Sequence, residues 1–268
     1  MVYLRSAGRG VARAHVGWWL VDSAGFTQMF LVAGGFGLLS SVLYGVILYL
    51  QPTETVTVLG KRLSIMPDLV AGLKAVIRHA QMLVTSLAEA AKMMANGTLM
   101  AFLPLYGLSI GLSLKEVGVL FGVQGVTSFL SKPVMGRVSD QVGRRPLIAL
   151  GLVICGATII AIPSVPYFGG LLLLAAGFGF GEAVVTSSSA ALIADLAKEH
   201  HVGAGMGLRG TVMDIGHAGG PIFAGVLVAT ISYTGAFSVI GFIQFIGALG
   251  FWMVTARQPA LQPAEKTG

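Results

Sequence analysis

The stretch YFGGLLLLAAGFGFGEAVVTSSSAALIA, residues 167–194, decides how the chain folds. Its 28 residues carry one charge, Glu182. A helix needs about 20 mostly apolar residues to cross the hydrocarbon layer of a bilayer. Lipid offers no water to backbone N–H and C=O groups, so such a run is expected to be a helix rather than an open strand. A carboxylate in the middle of it is costly, which makes Glu182 a functional candidate from the outset.

Outward from this run the same pattern recurs six times, at residues 26–50, 83–108, 117–135, 147–162, 210–231 and 236–255. The expected fold class is therefore an all-α membrane protein with about seven transmembrane helices. Composition agrees: 55% of the 268 residues are apolar and only 10% are charged, against about 25% charged in soluble domains. The 38 glycines suit helices that pack backbone to backbone in lipid. The single cysteine, Cys155, excludes an intrachain disulfide and a cysteine-based zinc cluster. Within residues 1–25 the apolar run 16–24 is too short to span and follows Arg5, Arg9 and Arg13, so the segment reads as incomplete or interfacial. Residues 51–80 read as a linker, in which Pro67 and Asp68 could open a short amphipathic helix. Residues 257–268 read as a tail.

The net charge of +6 points to orientation rather than to nucleic acid. Lys61, Arg62, Lys74, Arg78, Lys132, Arg137, Arg144, Arg145, Lys198, Arg209, Arg257 and Lys266 all fall on one side if the spans alternate, and the opposite loops hold only Lys115. Basic loops stay inside. The 51–80 linker, the 136–146 loop and the C-terminus are expected in the cytoplasm of a multi-pass plasma-membrane protein, bacterial inner membrane being the natural setting.

The loop Gly136-Arg137-Val138-Ser139-Asp140-Gln141-Val142-Gly143-Arg144-Arg145-Pro146 lies between two spans. Gly143 permits a tight turn, Asp140 can face the start of the following helix, and Arg144 and Arg145 can pair with Asp140 or with acidic headgroups. The loop resembles the G-x-x-x-D-x-x-G-R-R/K motif of the major facilitator superfamily (MFS), through Gly136, Asp140, Gly143, Arg144 and Arg145. Gln141 stands where that family often has a basic residue. Further on, Gly216, Gly220, Pro221 and Gly225 resemble the G-x-x-x-G-P-x-x-x-G pattern of the family's fifth and eleventh helices. Gly216 and Gly220 make a flat face for close packing, and Pro221 can kink the helix.

The resemblance implies that residues 81–256 form the six-helix C-terminal half of such a transporter, preceded by one further helix. It also implies a chain lacking about five of the family's twelve spans. Function would be movement of a small solute or ion by alternating access, completed by a complementary N-terminal half or a second copy. The alternative is a truncated, non-transporting partner or regulatory subunit. Candidate transport or proton-carrying residues are the ionisable and polar groups inside the spans. Glu182 stands alone; Glu89, Lys92 and Asn96 share one helix face; Asp214 and His217 lie one turn apart, read as near the cytoplasmic end of their helix. For each, a structural role is the competing reading: pairing of Glu89 with Lys92 near the membrane interface, or capping and packing by Asp214 and His217. No nucleophile–base pair, phosphate loop or dinucleotide fingerprint is present, so neither an enzyme nor a cofactor is expected. The adjacent His200 and His201 lack third and fourth ligands, so no metal is expected. The partners left are the lipid bilayer and the substrate.

Overall fold

A computed structural model describes residues 31, 34–47, 49–50, 79–196 and 198–256, the side chains of 198–204 excepted. The segments expected at 1–25 and 257–268, and nearly all of the 51–80 linker, lie outside the described residues. The chain divides into two units, Met1–Arg62 and Leu63–Gly268. In the first, the described helix is α1 (Gly34–Ile47), apolar but short, inside the span expected at 26–50.

Among the described residues, the second unit is a bundle of six helices: α2 (Ala80–Ser109), α3 (Leu114–Val142), α4 (Arg144–Ala161), α5 (Phe168–Leu196), α6 (Lys198–Thr230) and α7 (Tyr233–Ala256). Five of them, α3 to α7, are long and apolar enough to cross a membrane. Helix α2 is less apolar because it carries Glu89 and Lys92, but its 30 residues reach about 45 Å. Large apolar side chains such as Phe129, Leu173 and Ile222 lie about three-quarters exposed on the outside. In water that surface would be an aggregation hazard; in lipid it is the ordinary outer face of a spanning bundle.

Local chemistry sets the helix ends. Ser113 opens α3 with a capping box: its hydroxyl accepts from Glu116 N–H, and Glu116 Oε2 accepts from Ser113 N–H at 2.8 Å. Gly143 turns α3 into α4 at φ +101°, a conformation that costs a residue with a Cβ.

Three expectations change. Helix α3 runs to Val142 rather than ending at 135, because Arg137 and Asp140 continue the helix before Gly143 stops it. Helix α6 begins at Lys198 rather than 210, so Arg209 is not a loop residue. The same extension places Asp214 and His217 near the middle of α6 rather than at its end.

Close approach of backbones holds the bundle together. A Cβ on Gly216 would collide with the Ala90 carbonyl, one on Gly220 with the Met94 carbonyl, and one on Gly97 with the His217 carbonyl. Contacts repeat at a step of four on both helices, so α2 and α6 run parallel, joined by Thr98 Oγ1 donating to the Gly220 carbonyl at 3.3 Å. Gly179 presses on the backbone of Gln124, pairing α5 with α3; Gly151 and Gly181 pair α4 with α5, and Gly156 and Gly241 pair α4 with α7. Apolar filling comes from Leu99, Leu103, Leu120, Ile159, Phe178, Phe237 and Ile240, all at most 4% exposed.

Candidate functional site: a buried charge cluster among three helices

Glu89, on α2, is wholly buried (0% exposed), as is Lys92 one turn along (1%). They pair as their spacing predicts, Lys92 Nζ lying 2.9 Å from Glu89 Oε1. They do not lie on a surface near the interface. Instead they point into the bundle, where α5 and α6 supply the rest of the coordination. Arg209 Nη2, from α6, donates to Glu89 Oε1 at 3.1 Å. From α5, Thr186 Oγ1 donates to the same oxygen at 3.2 Å, and Ser189 Oγ donates to Oε2 at 2.7 Å. Lys92 Nζ also donates to Thr186 Oγ1 at 3.0 Å and to Met93 Sδ at 3.3 Å.

Desolvating each ion costs several kcal/mol, and mutual attraction offsets this only when the remaining hydrogen-bonding positions are filled. Here both carboxylate oxygens are filled, by donors from three helices. Arg209 is not complete: its Nε is buried without a hydrogen-bond partner. The cluster therefore holds two cations against one anion, with an unused donor on the more accessible cation (the Arg209 side chain is 14% exposed).

Glu182 lies one turn before Thr186 on α5 but faces α3. There Gln124 Nε2 approaches its Oε2 at 3.5 Å, a long contact for a hydrogen bond. Cys155, on α4, is buried within electrostatic reach of Lys92, Glu89 and Glu182. Asn96 follows Lys92 by one turn and is half-buried. Asp214 is exposed on α6 on one face with Thr211 and Ala218, while His217 is half-buried. Glu89 and Lys92 are thus brought together, whereas Glu182, Asn96, Asp214 and His217 stand apart from their cluster.

The loop motif forms a second polar assembly at the bundle's end. Arg144 pairs with Asp140 at 3.1 Å and with Asp195, at the end of α5, at 2.5 Å. Arg145 takes a different partner, donating to the Thr255 carbonyl in the last turn of α7 at 2.9 Å. One turn of chain thereby ties together the ends of α3, α5 and α7. A Cβ on Gly136 would meet open space, and one on Gly225 would meet Phe102 at an ordinary 3.5 Å. Pro221 is accommodated within a continuous α6.

Sequence reasoning missed Arg209, counted as an orienting loop charge, and did not single out Thr186 and Ser189. A signal for Arg209 existed. It precedes Gly216 by seven residues and Gly220 by eleven, which puts it on the face that packs against α2. Gln124 and Gln244 were also missed; Gln244 Nε2 donates to the Ala91 carbonyl at 2.7 Å, tying α7 to α2.

Comparison with known proteins agrees with this architecture. The profile of the Major Facilitator Superfamily matches residues 85–268. A multi-drug resistance efflux pump PmrA homolog of Lactococcus lactis is 29% identical over 154 residues, covering 56% of this chain and 38% of that protein. The hexuronate transporter of Escherichia coli is 28% identical over 185 residues, 65% of this chain and 42% of that protein. The quinolone resistance protein NorA of Staphylococcus aureus is 24% identical over 156 residues, 56% of this chain and 40% of that protein. The chain thus spans about two-fifths of the length of these relatives. With a multi-pass helical bundle, the loop motif in place and a profile match over most of its length, this integral membrane protein belongs to the Major Facilitator Superfamily, a family of transporters.

Proposed function

We propose that this bundle is the C-terminal half of a secondary transporter that moves a small solute by alternating access. In the complete transporter it works against a complementary half, from an N-terminal half or a second copy. The observation that carries this reading is the Glu89–Lys92–Arg209 cluster. Structural pairing alone is served most cheaply by one cation and one anion at a helix end. Three charges where α2, α5 and α6 meet, two of them fully buried, make a junction whose partners can exchange. Asp214 supports the reading: a carboxylate exposed in the middle of an apolar helix needs a water-filled path or a facing protein half rather than lipid. The basic residues other than Arg209 that the alternation of spans puts on one side, eleven in all, favour a cytoplasmic C-terminus and 136–146 loop, with the bacterial inner membrane as the setting.

The relatives' names divide between drugs, a hexuronate and citrate, so their substrates are screened rather than assumed. The chain is reconstituted in vesicles with a complementary N-terminal half, and flux of a hexuronate, citrate and a quinolone is measured. Flux that Glu89→Gln abolishes at equal folded yield supports the reading. Flux unchanged by Glu89→Gln removes the cluster from the transport cycle. The second reading is a non-transporting partner or regulatory subunit. It wins if no flux appears although the two parts co-purify.

A further inference from the structure

From the charge count and the unused donor on Arg209, we infer that the solute is an organic anion, bound through a carboxylate or similar oxyanion by Arg209 with Lys92 behind it. This rests on the transporter reading and names the substrate class of the same site.

The charges facing the cluster can be counted helix by helix. Helix α2 supplies Glu89 and Lys92, and α6 supplies Arg209. Helix α4 contributes the uncharged Cys155, and α7 has no charged residue between Tyr233 and Ala256. Helix α5 contributes Thr186 and Ser189 here. Its own Glu182 is turned toward Gln124 of α3, and its Asp195 is engaged by Arg144 at the bundle's end. Lys132 of α3 is exposed and Asp214 of α6 is exposed. Among the described residues, the bonded set is therefore two cations and one carboxylate, leaving one positive charge without a bonded counterpart.

The donors point the same way. Both Glu89 oxygens are already filled, so Glu89 has little left to offer a cation. Lys92 has three donors and its contacts with Glu89, Thr186 and Met93 occupy them. Arg209 uses Nη2 on Glu89, and its Nε has no partner. A guanidinium presents Nε and its neighbouring Nη as a planar fork that fits a carboxylate with two parallel hydrogen bonds. A neutral solute would leave the surplus charge in place, and a cationic one would add to it. An anion removes the surplus and takes the unused donor in one step. Lys92, buried behind, adds attraction without contact.

The test uses the full chain in nanodiscs of zwitterionic lipid. Glucuronate, citrate and inorganic phosphate are the anionic probes; glucose and tetraethylammonium are the neutral and cationic controls. Binding is read by calorimetry and by shift in melting temperature. The expected result is saturable binding of at least one organic acid, at least tenfold tighter than its neutral control. Arg209→Lys keeps a cation beside Glu89 and loses the fork. It should weaken that binding about tenfold while leaving the unliganded melting temperature near the parent's. Arg209→Gln should abolish binding, and its own melting curve reports whether it has folded. The parent's preference for acid over neutral sugar stands without any variant. Repeating the assay in discs with anionic lipid separates the two sources of an oxyanion. Loss of soluble-anion binding there assigns the site to a headgroup and overturns a soluble substrate. Equal binding of glucose and glucuronate, binding only of tetraethylammonium, absence of any anion binding, or an unweakened Arg209→Lys each overturns the inference. Because binding is read at equilibrium, anion binding without flux would sink the transporter reading instead. Flux of a neutral or cationic solute that ignores Arg209 would sink only this one.

Discussion

Replacing Glu89 by alanine is the sharpest perturbation of the bundle. Removing the carboxylate takes away the acceptor of four donors, from Lys92, Arg209, Thr186 and Ser189. It leaves Lys92, at 1% exposure, as a cation with no anion. Breaking a buried ion pair by deleting one member costs about 3–5 kcal/mol, whereas replacing both members with apolar groups is often neutral or favourable. Glu89→Ala should therefore destabilise the bundle by about 3–5 kcal/mol, and Glu89→Ala with Lys92→Met should recover at least about half of that. At about 2–4 °C per kcal/mol for a domain of 150–250 residues, the single variant should melt roughly 6–20 °C lower. The assay is a double-mutant cycle on melting temperature in nanodiscs, with Lys92→Met alone as the third corner. If Glu89→Ala melts within about 3 °C of the parent, or if Lys92→Met worsens it, the cluster is not a coupled buried unit and the reasoning fails.

Other expectations can be checked on the same preparations. Gly220→Leu, whose side chain would enter the space of the Met94 carbonyl, should cost at least about 1–3 kcal/mol by overpacking. Gly219→Ala, with nothing within 4 Å, should stay within about 0.5 kcal/mol, and equal melting temperatures for the two would refute the α2–α6 contact. Asp140→Ala removes one of two carboxylates on Arg144 and, at 62% exposure of Asp140, should cost at most about 1 kcal/mol. It should nevertheless slow flux in the complete transporter, and unchanged flux at equal protein level would count against a gating role for the loop. Glu182→Gln should fold normally and melt within about 0.5 kcal/mol of the parent, because the Gln124 contact it disturbs is long at 3.5 Å; a larger loss would show that this contact holds α5 to α3. Reporter fusions after Pro146 and Gln258 should both report a cytoplasmic location, and an external signal at either would reverse the orientation.

The spanning helices were legible because hydropathy over about 20 residues is a strong, local signal. The loop motif was legible because its glycine, acid and basic residues stand at fixed spacing. Even so, the division of labour between Arg144 and Arg145 was not, since Thr255 lies 110 residues away. The charge cluster was half legible. Glu89 and Lys92 are one turn apart and could be paired on paper. What the pair faces depends on how α5 and α6 pack around α2, and no local pattern carries that. Helix α6 misled for a physical reason: its first turns are rich in glycine and charge, so hydropathy placed its start at 210 and left Arg209 outside. Glu182 drew attention because it sits deepest along its own helix. Depth along a helix and burial within a bundle are different quantities, and the structure leaves Glu182 only partly buried while Glu89 is sealed.

The glycine contacts between α2 and α6 have a mechanical corollary. Two parallel helices whose main chains touch at Gly97, Gly216 and Gly220 form a single stiff plank, because sliding either by a turn would drive carbonyls into Cβ atoms. Arg209 and Glu89 ride on the same plank and keep their register however it tilts. Thr186 and Ser189 belong to the neighbouring helix, so a tilt strains the hydroxyl bonds first and leaves the guanidinium–carboxylate bond intact. The seam along which this bundle can flex without losing its charge pair therefore runs between α5 and the α2–α6 plank, fastened by two hydroxyls.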